Sequence, residues 1–233
     1  MGGTEIRNVG ERFVEAAVAL ILERARAAQS DGGTFRLSLC GGSTPRGIYE
    51  RLAALEDGAI DWGRVKLTFG DERCVPPDHA ESNYRMVREA MLDHVAIPPE
   101  SVLRIEAESG GGIAAERCEA KLREWAADDG DEIFTHDLVL LGMGDDGHTA
   151  SLFPGTEALA EKQRWVVANY VPKFDSERIT FTYPLINAAR SACFLVTGKE
   201  NKGAVVDRVL AGGSADPAAA IAPAGSLVWL LGW

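Results

Sequence analysis

Residues Gly142–His148 read GMGDDGH and follow the apolar run DLVLL, so an imidazole and two carboxylates leave the end of one buried strand together. Histidine titrates near neutral pH and can take a proton from water, and a carboxylate two residues away can hold its ring. The glycines at 142, 144 and 147 also spell G-x-G-x-x-G, the loop that presents backbone N–H groups to a dinucleotide pyrophosphate. Asp145 and Asp146 would aim negative charge at that pyrophosphate. The next strand-like run, RWVVANY, ends in Asn169 and Tyr170 and not in the acid that would hold a ribose. The loop therefore reads as one that delivers His148, with Asp146 either orienting the imidazole or shaping the turn. Asp145 has the weaker claim, and His79, His94 and His136 read as structural.

Three other strand-like runs end in the same way. FRLSLC runs into GGSTPR, VKLTF into GDER, and ACFLV into TGKENK. In open α/β sheets, ligands bind beyond the carboxyl ends of the strands, and glycines admit a close backbone approach. Gly41, Gly42 and Ser43 open a helix and offer free N–H groups and a hydroxyl to a phosphate. The same hydroxyl would serve as a helix cap. Neither G-x-S-x-G nor a Walker A loop fits here, because Pro45 stands where glycine would be needed and no Gly-Lys follows.

The elements that position these loops alternate. Helical periodicity covers roughly 10–29, 82–95 and 113–127, with further helices opening at TPRGIYERLAAL and NKGAVVDRVL. Strand-like runs occupy 35–40, 65–69, 137–141, 164–170, 178–183, 192–198 and 226–231. Such alternation predicts an α/β fold with a mostly parallel sheet covered on both faces. The chain reads as a single domain over 1–233, with no repeat or linker.

A net charge of −11 argues against general nucleic-acid or anionic-membrane binding, so an anionic ligand needs a local basic pocket. Cys40, Cys74, Cys118 and Cys193 are widely spaced and read as ordinary thiols, and no clustered set of metal ligands is apparent. No apolar stretch approaches the length of a membrane span, and the N-terminal segment lacks a cleavage signal, so a cytoplasmic location is expected.

The strings GGSTPRGIYERL, FGDERCVPPDHAESNYRM, GMGDDGHTASLFPGT, RITFTYPLIN, FLVTGKENK and PAGSLVWLL occur in this order across almost the whole chain. With them the sequence resembles the 6-phosphogluconolactonases, within the larger group that includes glucosamine-6-phosphate deaminases. The resemblance implies a Rossmann-like three-layer α/β/α sandwich, no cofactor, and hydrolysis of 6-phospho-D-glucono-1,5-lactone to 6-phosphogluconate. The only partner it implies is that phosphorylated sugar lactone, handled by a monomer or weak homodimer.

The resemblance matches His148 to the catalytic histidine and points to Lys202 and Arg178 for the phosphate, with Lys199 as a neighbouring alternative. Arg73 is open to three uses: stabilising an oxyanion, binding phosphate, or pairing with Asp71 or Glu72. Asp71 stands where deaminases transfer protons, and in a lactonase it would orient Arg73 or a sugar hydroxyl. Deaminases carry Asp-Glu-Tyr where this chain has Asp71-Glu72-Arg73. They also follow DGH with a segment ending in Asn-Glu-Pro, where this chain has TASLFPG, so the lactonase reading is preferred. The alternatives are an amino-sugar-phosphate isomerase or deaminase and a non-catalytic sugar-phosphate-binding domain. Gly203, where alanine is common, and the LLGW ending depart from the family pattern without touching the proposed chemistry.

Overall fold

Mostly apolar runs put whole strands out of reach of water: FRLSL and SACFLV are buried at every position, Arg36, Ser38 and Ser191 included. The computed structural model describes residues 3–233. Its chain begins with β1 (Thr4–Asn8), α1 (Phe13–Gln29), β2 (Phe35–Leu39), α2 (Ser43–Ala53) and β3 (Val65–Phe69). Next come β4 (Asp71–Arg73), α3 (Asn83–Ala90), β5 (Val102–Leu103), α4 (Gly111–Asp128) and β6 (Leu138–Leu141). The remainder forms β7 (Val166–Val171), β8 (Ser176–Phe181), α5 (Tyr183–Asn187), β9 (Ser191–Val196), α6 (Lys199–Leu210) and β10 (Ser226–Leu231).

Seven strands form one sheet in the order β1-β10-β9-β6-β2-β3-β5, and every pairing in it is parallel. A parallel sheet must be covered on both faces. On one face α1 packs on α2, β2 and β10, and α2 reaches α3 and β9. α4 lies against β7 and β8. From β2 the chain moves outward to β3 and β5, then returns to the far side of β2 as β6. Strand order therefore reverses between β2 and β6, which opens a crevice at their carboxyl ends. GGST and GMGDDGH flank that crevice.

The runs read as strands at 164–170 and 178–183 do form strands, but not in the parallel sheet. As β7 and β8 they join the three-residue β4 in a separate antiparallel sheet ordered β4-β8-β7. Gly70 ties the two sheets: its N–H donates to Leu39 at 2.9 Å, and its carbonyl accepts from Phe181 at 2.8 Å. The helix expected over 82–95 stops at Ala90 and finishes in a tighter turn. No helix among the described residues is long and apolar enough to cross a membrane.

His136 sits wholly buried behind the crevice, with Nε2 2.9 Å from Thr68 Oγ1 and its ring edge-on to Phe134. Burial, helped by the charge of Arg36, pushes its pKa down to about 3. An unfolded chain takes up that proton near pH 6.5, so stability falls as pH drops from there towards 3. Between pH 6.5 and 4.5 the wild type should lose about 2–3 kcal/mol more than His136→Gln does. Urea unfolding at the two pH values checks this, and equal losses would assign acid sensitivity to other groups.

Candidate active site

The turn after β6 is built around His148. Its backbone carbonyl accepts from Gly144 at 3.0 Å, and Gly147 donates to Gly144 at 3.2 Å. His148 Nδ1 lies 2.5 Å from Asp146 Oδ1, which also accepts the His148 backbone N–H at 3.2 Å. The imidazole stacks on Phe153 with centroids 4.0 Å apart and planes at 21°. Burial opposes ionisation of Asp146, but hydrogen bonds from Lys173 and His148 outweigh it and hold the carboxyl at about 2. An ionised Asp146 must receive a proton from Nδ1, so in the neutral ring Nε2 carries the free lone pair. One oxygen of Asp146 thus contacts both the backbone of the turn and the ring.

Two of the glycines that resemble a nucleotide loop, Gly144 and Gly147, are explained by this turn. Gly147 has φ +76°, and a Cβ on Gly144 would fall 2.1 Å from His148 Nδ1 and 2.8 Å from Asp146 Oδ1. Gly144→Ala must therefore push the imidazole off its carboxylate. We expect about a hundredfold fall in kcat, the scale of a 1 Å misplacement of a catalytic group. Steady-state kinetics alongside a circular dichroism melt separates that loss from unfolding, and near-wild-type turnover would show that the ring tolerates displacement.

His148 faces a cleft of about 320 Å³ whose lining includes Gly41, Gly42, Ser43, Asp71, Arg73, Arg178 and Lys202. Asp146 supports His148 from behind and does not line it, and Lys199 lies outside. Antiparallel register sets Arg73 directly opposite Arg178. Burial and then the Arg73 charge lower the Arg178 pKa, and burial lowers that of Lys202. Arg73 donates through Nη1 to the Glu81 carbonyl, while its Nε is buried without a partner.

The ion pairs open to Arg73 in sequence do not form. The Glu72 carboxylate turns to the start of α3, accepting at 2.8 Å from the backbone N–H groups of Arg73, Asn83 and Tyr84. Asp71 is engaged at both oxygens, with Ser151 Oγ at 2.7 Å from Oδ2 and Asn83 Nδ2 at 3.2 Å from Oδ1. In an acidic protein, this leaves a cleft with three cations that form no ion pair among the described residues.

Two helices begin at the cleft. Gly42, at φ +99°, leads into α2, and no side chain caps the first turn. The capping role open to Ser43 is thus not taken, and its N–H groups remain available to an anion. Lys202 stands in the first turn of α6, which is likewise uncapped by a side chain. Thr44 and Thr197 hydroxyls, 3.0 Å apart, tie the two starts together.

Sequence reasoning missed Asn83, Ser151, Phe153, Phe174 and Lys173. Asn83 lies in the quoted SNYRM string beside its capping serine, so a signal was present. Lys173 gave none, because it reaches Asp145 and Asp146 from the turn between β7 and β8.

Comparison with known proteins is consistent with this geometry. The 6-phosphogluconolactonase of Nostoc sp. is 40% identical over 223 residues, covering 94% of this chain and 90% of that protein. The 6-phosphogluconolactonase of Rattus norvegicus is 41% identical over 218 residues, 91% of this chain and 84% of its own. The crystal structure of 6-phosphogluconolactonase from Thermotoga maritima superposes with a TM-score of 0.85 at 27% identity, covering 98% and 99% of the two chains. The family described as glucosamine-6-phosphate isomerases/6-phosphogluconolactonase matches residues 9–229. Extended over nearly every element that builds the cleft, that match assigns the chain: it belongs to the glucosamine-6-phosphate isomerase/6-phosphogluconolactonase family.

Proposed function

We propose that this protein hydrolyses 6-phospho-D-glucono-1,5-lactone to 6-phospho-D-gluconate, a step of the oxidative pentose phosphate pathway. The observation that carries the reading is a His148–Asp146 pair facing a cleft with three cations that form no ion pair among the described residues. A δ-lactone is an activated ester, so a positioned water and a base suffice. His148 Nε2 takes a proton from water as its oxygen bonds to the lactone carbonyl carbon. Arg73 stabilises the charge that develops on the carbonyl oxygen. The tetrahedral species then expels the ring oxygen, which recovers the proton from His148, and the carboxylate product forms. Lys202, Arg178, Ser43 and the Gly41–Gly42 backbone hold the phosphate.

The engagement of Asp71 supports a lactonase over a deaminase. Both of its oxygens accept hydrogen bonds within the protein, which suits an orienting group. The direct test generates the lactone with glucose-6-phosphate dehydrogenase and follows its decay with and without the protein. Acceleration over spontaneous hydrolysis is expected, and none would overturn the reading.

A further inference from the structure

We infer that Lys173 is a positioning residue for the His148–Asp146 pair, an inference that rests on the lactonase reading for its catalytic meaning. Lys173 belongs to the turn Pro172–Phe174, which joins β7 to β8 in the small sheet. From there Nζ reaches across to Asp146 Oδ2 at 2.9 Å and Asp145 Oδ1 at 3.4 Å. Asp146 is thus held at both oxygens, by His148 on one and Lys173 on the other. With one oxygen unanchored, the carboxylate could rotate about its Cβ–Cγ bond and take the imidazole with it.

The neighbouring residue reinforces the contact. Phe174 meets Phe153, the ring on which His148 stacks, edge-on at 5.7 Å. Its other neighbour is Arg178, whose guanidinium lies 5.1 Å from the ring centroid. Asp175, at φ +46°, closes the turn and accepts from the Tyr170 hydroxyl at 2.5 Å. One turn of the antiparallel sheet therefore abuts the carboxylate, the stacking ring and a phosphate cation.

Lys173 also supplies charge. Around His148 stand Asp145 and Asp146 from its own loop, Lys173 from the β7–β8 turn and Asp71, Arg73 and Arg178 from the small sheet. Lys202 of α6 and Asp216, which follows α6 and lies against Gly147, complete the set. Lys173 is the cation that directly contacts the carboxylate of the pair. With it gone, no lysine or arginine among the described residues would offset the Asp146 charge beside the ring, and the protonated ring would be favoured.

The test compares Lys173→Met with Lys173→Arg and wild type. In Lys173→Met, the acidic limb of kcat/KM should move up by about half a pH unit, the scale of a half-exposed charge in high dielectric. At its optimum pH, kcat should fall roughly five- to tenfold, within the scale of a partly misplaced catalytic group. KM should stay within about twofold of wild type, because binding would be untouched. Lys173→Arg should restore both profile and rate. NMR titration of the His148 ring, which needs no turnover, should move in the same direction. An unmoved titration, or a raised KM with an unmoved pH profile, overturns the positioning role; the second result would make Lys173 a phosphate ligand. If wild type itself fails to accelerate lactone decay, the lactonase reading falls, while the NMR shift still decides whether Lys173 holds the pair.

Discussion

His148→Ala is expected to lower kcat by about 10²–10⁴-fold, the range that a positioned general base contributes. KM should change little, because the phosphate would still meet Lys202, Arg178 and the start of α2. The size of the effect follows from the arrangement at Nδ1. Asp146 fixes that nitrogen as a donor at 2.5 Å, so no rotation or tautomer change is needed before Nε2 accepts a proton. Without the imidazole, no second histidine among the described residues lines the cleft, and both oxygens of Asp71 accept from Ser151 and Asn83. Residual activity should come from Arg73 and substrate positioning alone. Spontaneous lactone hydrolysis must be subtracted at each pH, and unchanged acceleration in the variant would remove His148 from the mechanism.

Lys202→Ala is expected to raise KM by about ten- to a hundredfold with little change in kcat, matching the loss of a hydrogen bond to a charged group. The cation is half-buried, carries no carboxylate partner, and stands beside a helix start. Its interaction with a phosphate would be made alike in the ground state and in the transition state, so binding would weaken while turnover of the bound lactone persists. A large fall in kcat with unaltered KM would move Lys202 out of the phosphate site and towards the reacting carbonyl.

Much of this arrangement could be read in sequence because it is local. β2, β6 and β9 are buried throughout and mostly apolar, and the loops that follow them carry glycines and polar groups within a few residues. Their convergence follows from parallel pairing, which sends all the carboxyl ends one way. What escaped reading has no local signal. β1 has the sequence TEIRN and is largely exposed at the sheet edge, so it lacks the apolar run that marks a buried strand. β4 is three residues long, all charged, and becomes a strand only because β8 lies beside it. Lys173 and Asn83 act through partners 27 and 12 residues away, separations that no periodicity encodes. The choice between uses of Arg73 likewise depended on where Glu72 turned, and that was set by the start of α3.

The pairing of Arg73 with Arg178 has a consequence for how such a protein can change over generations. The two guanidiniums are side by side because backbone hydrogen bonds fix the register of β4 on β8. A slip of one residue would turn each side chain of the slipped strand to the opposite face. Lengthening or shortening either strand would thus remove an arginine from the cleft in one step and would not weaken the site gradually. Point substitutions can tune this half of the pocket, but insertions and deletions there meet a cliff. Variation in length is better tolerated where no ladder counts residues.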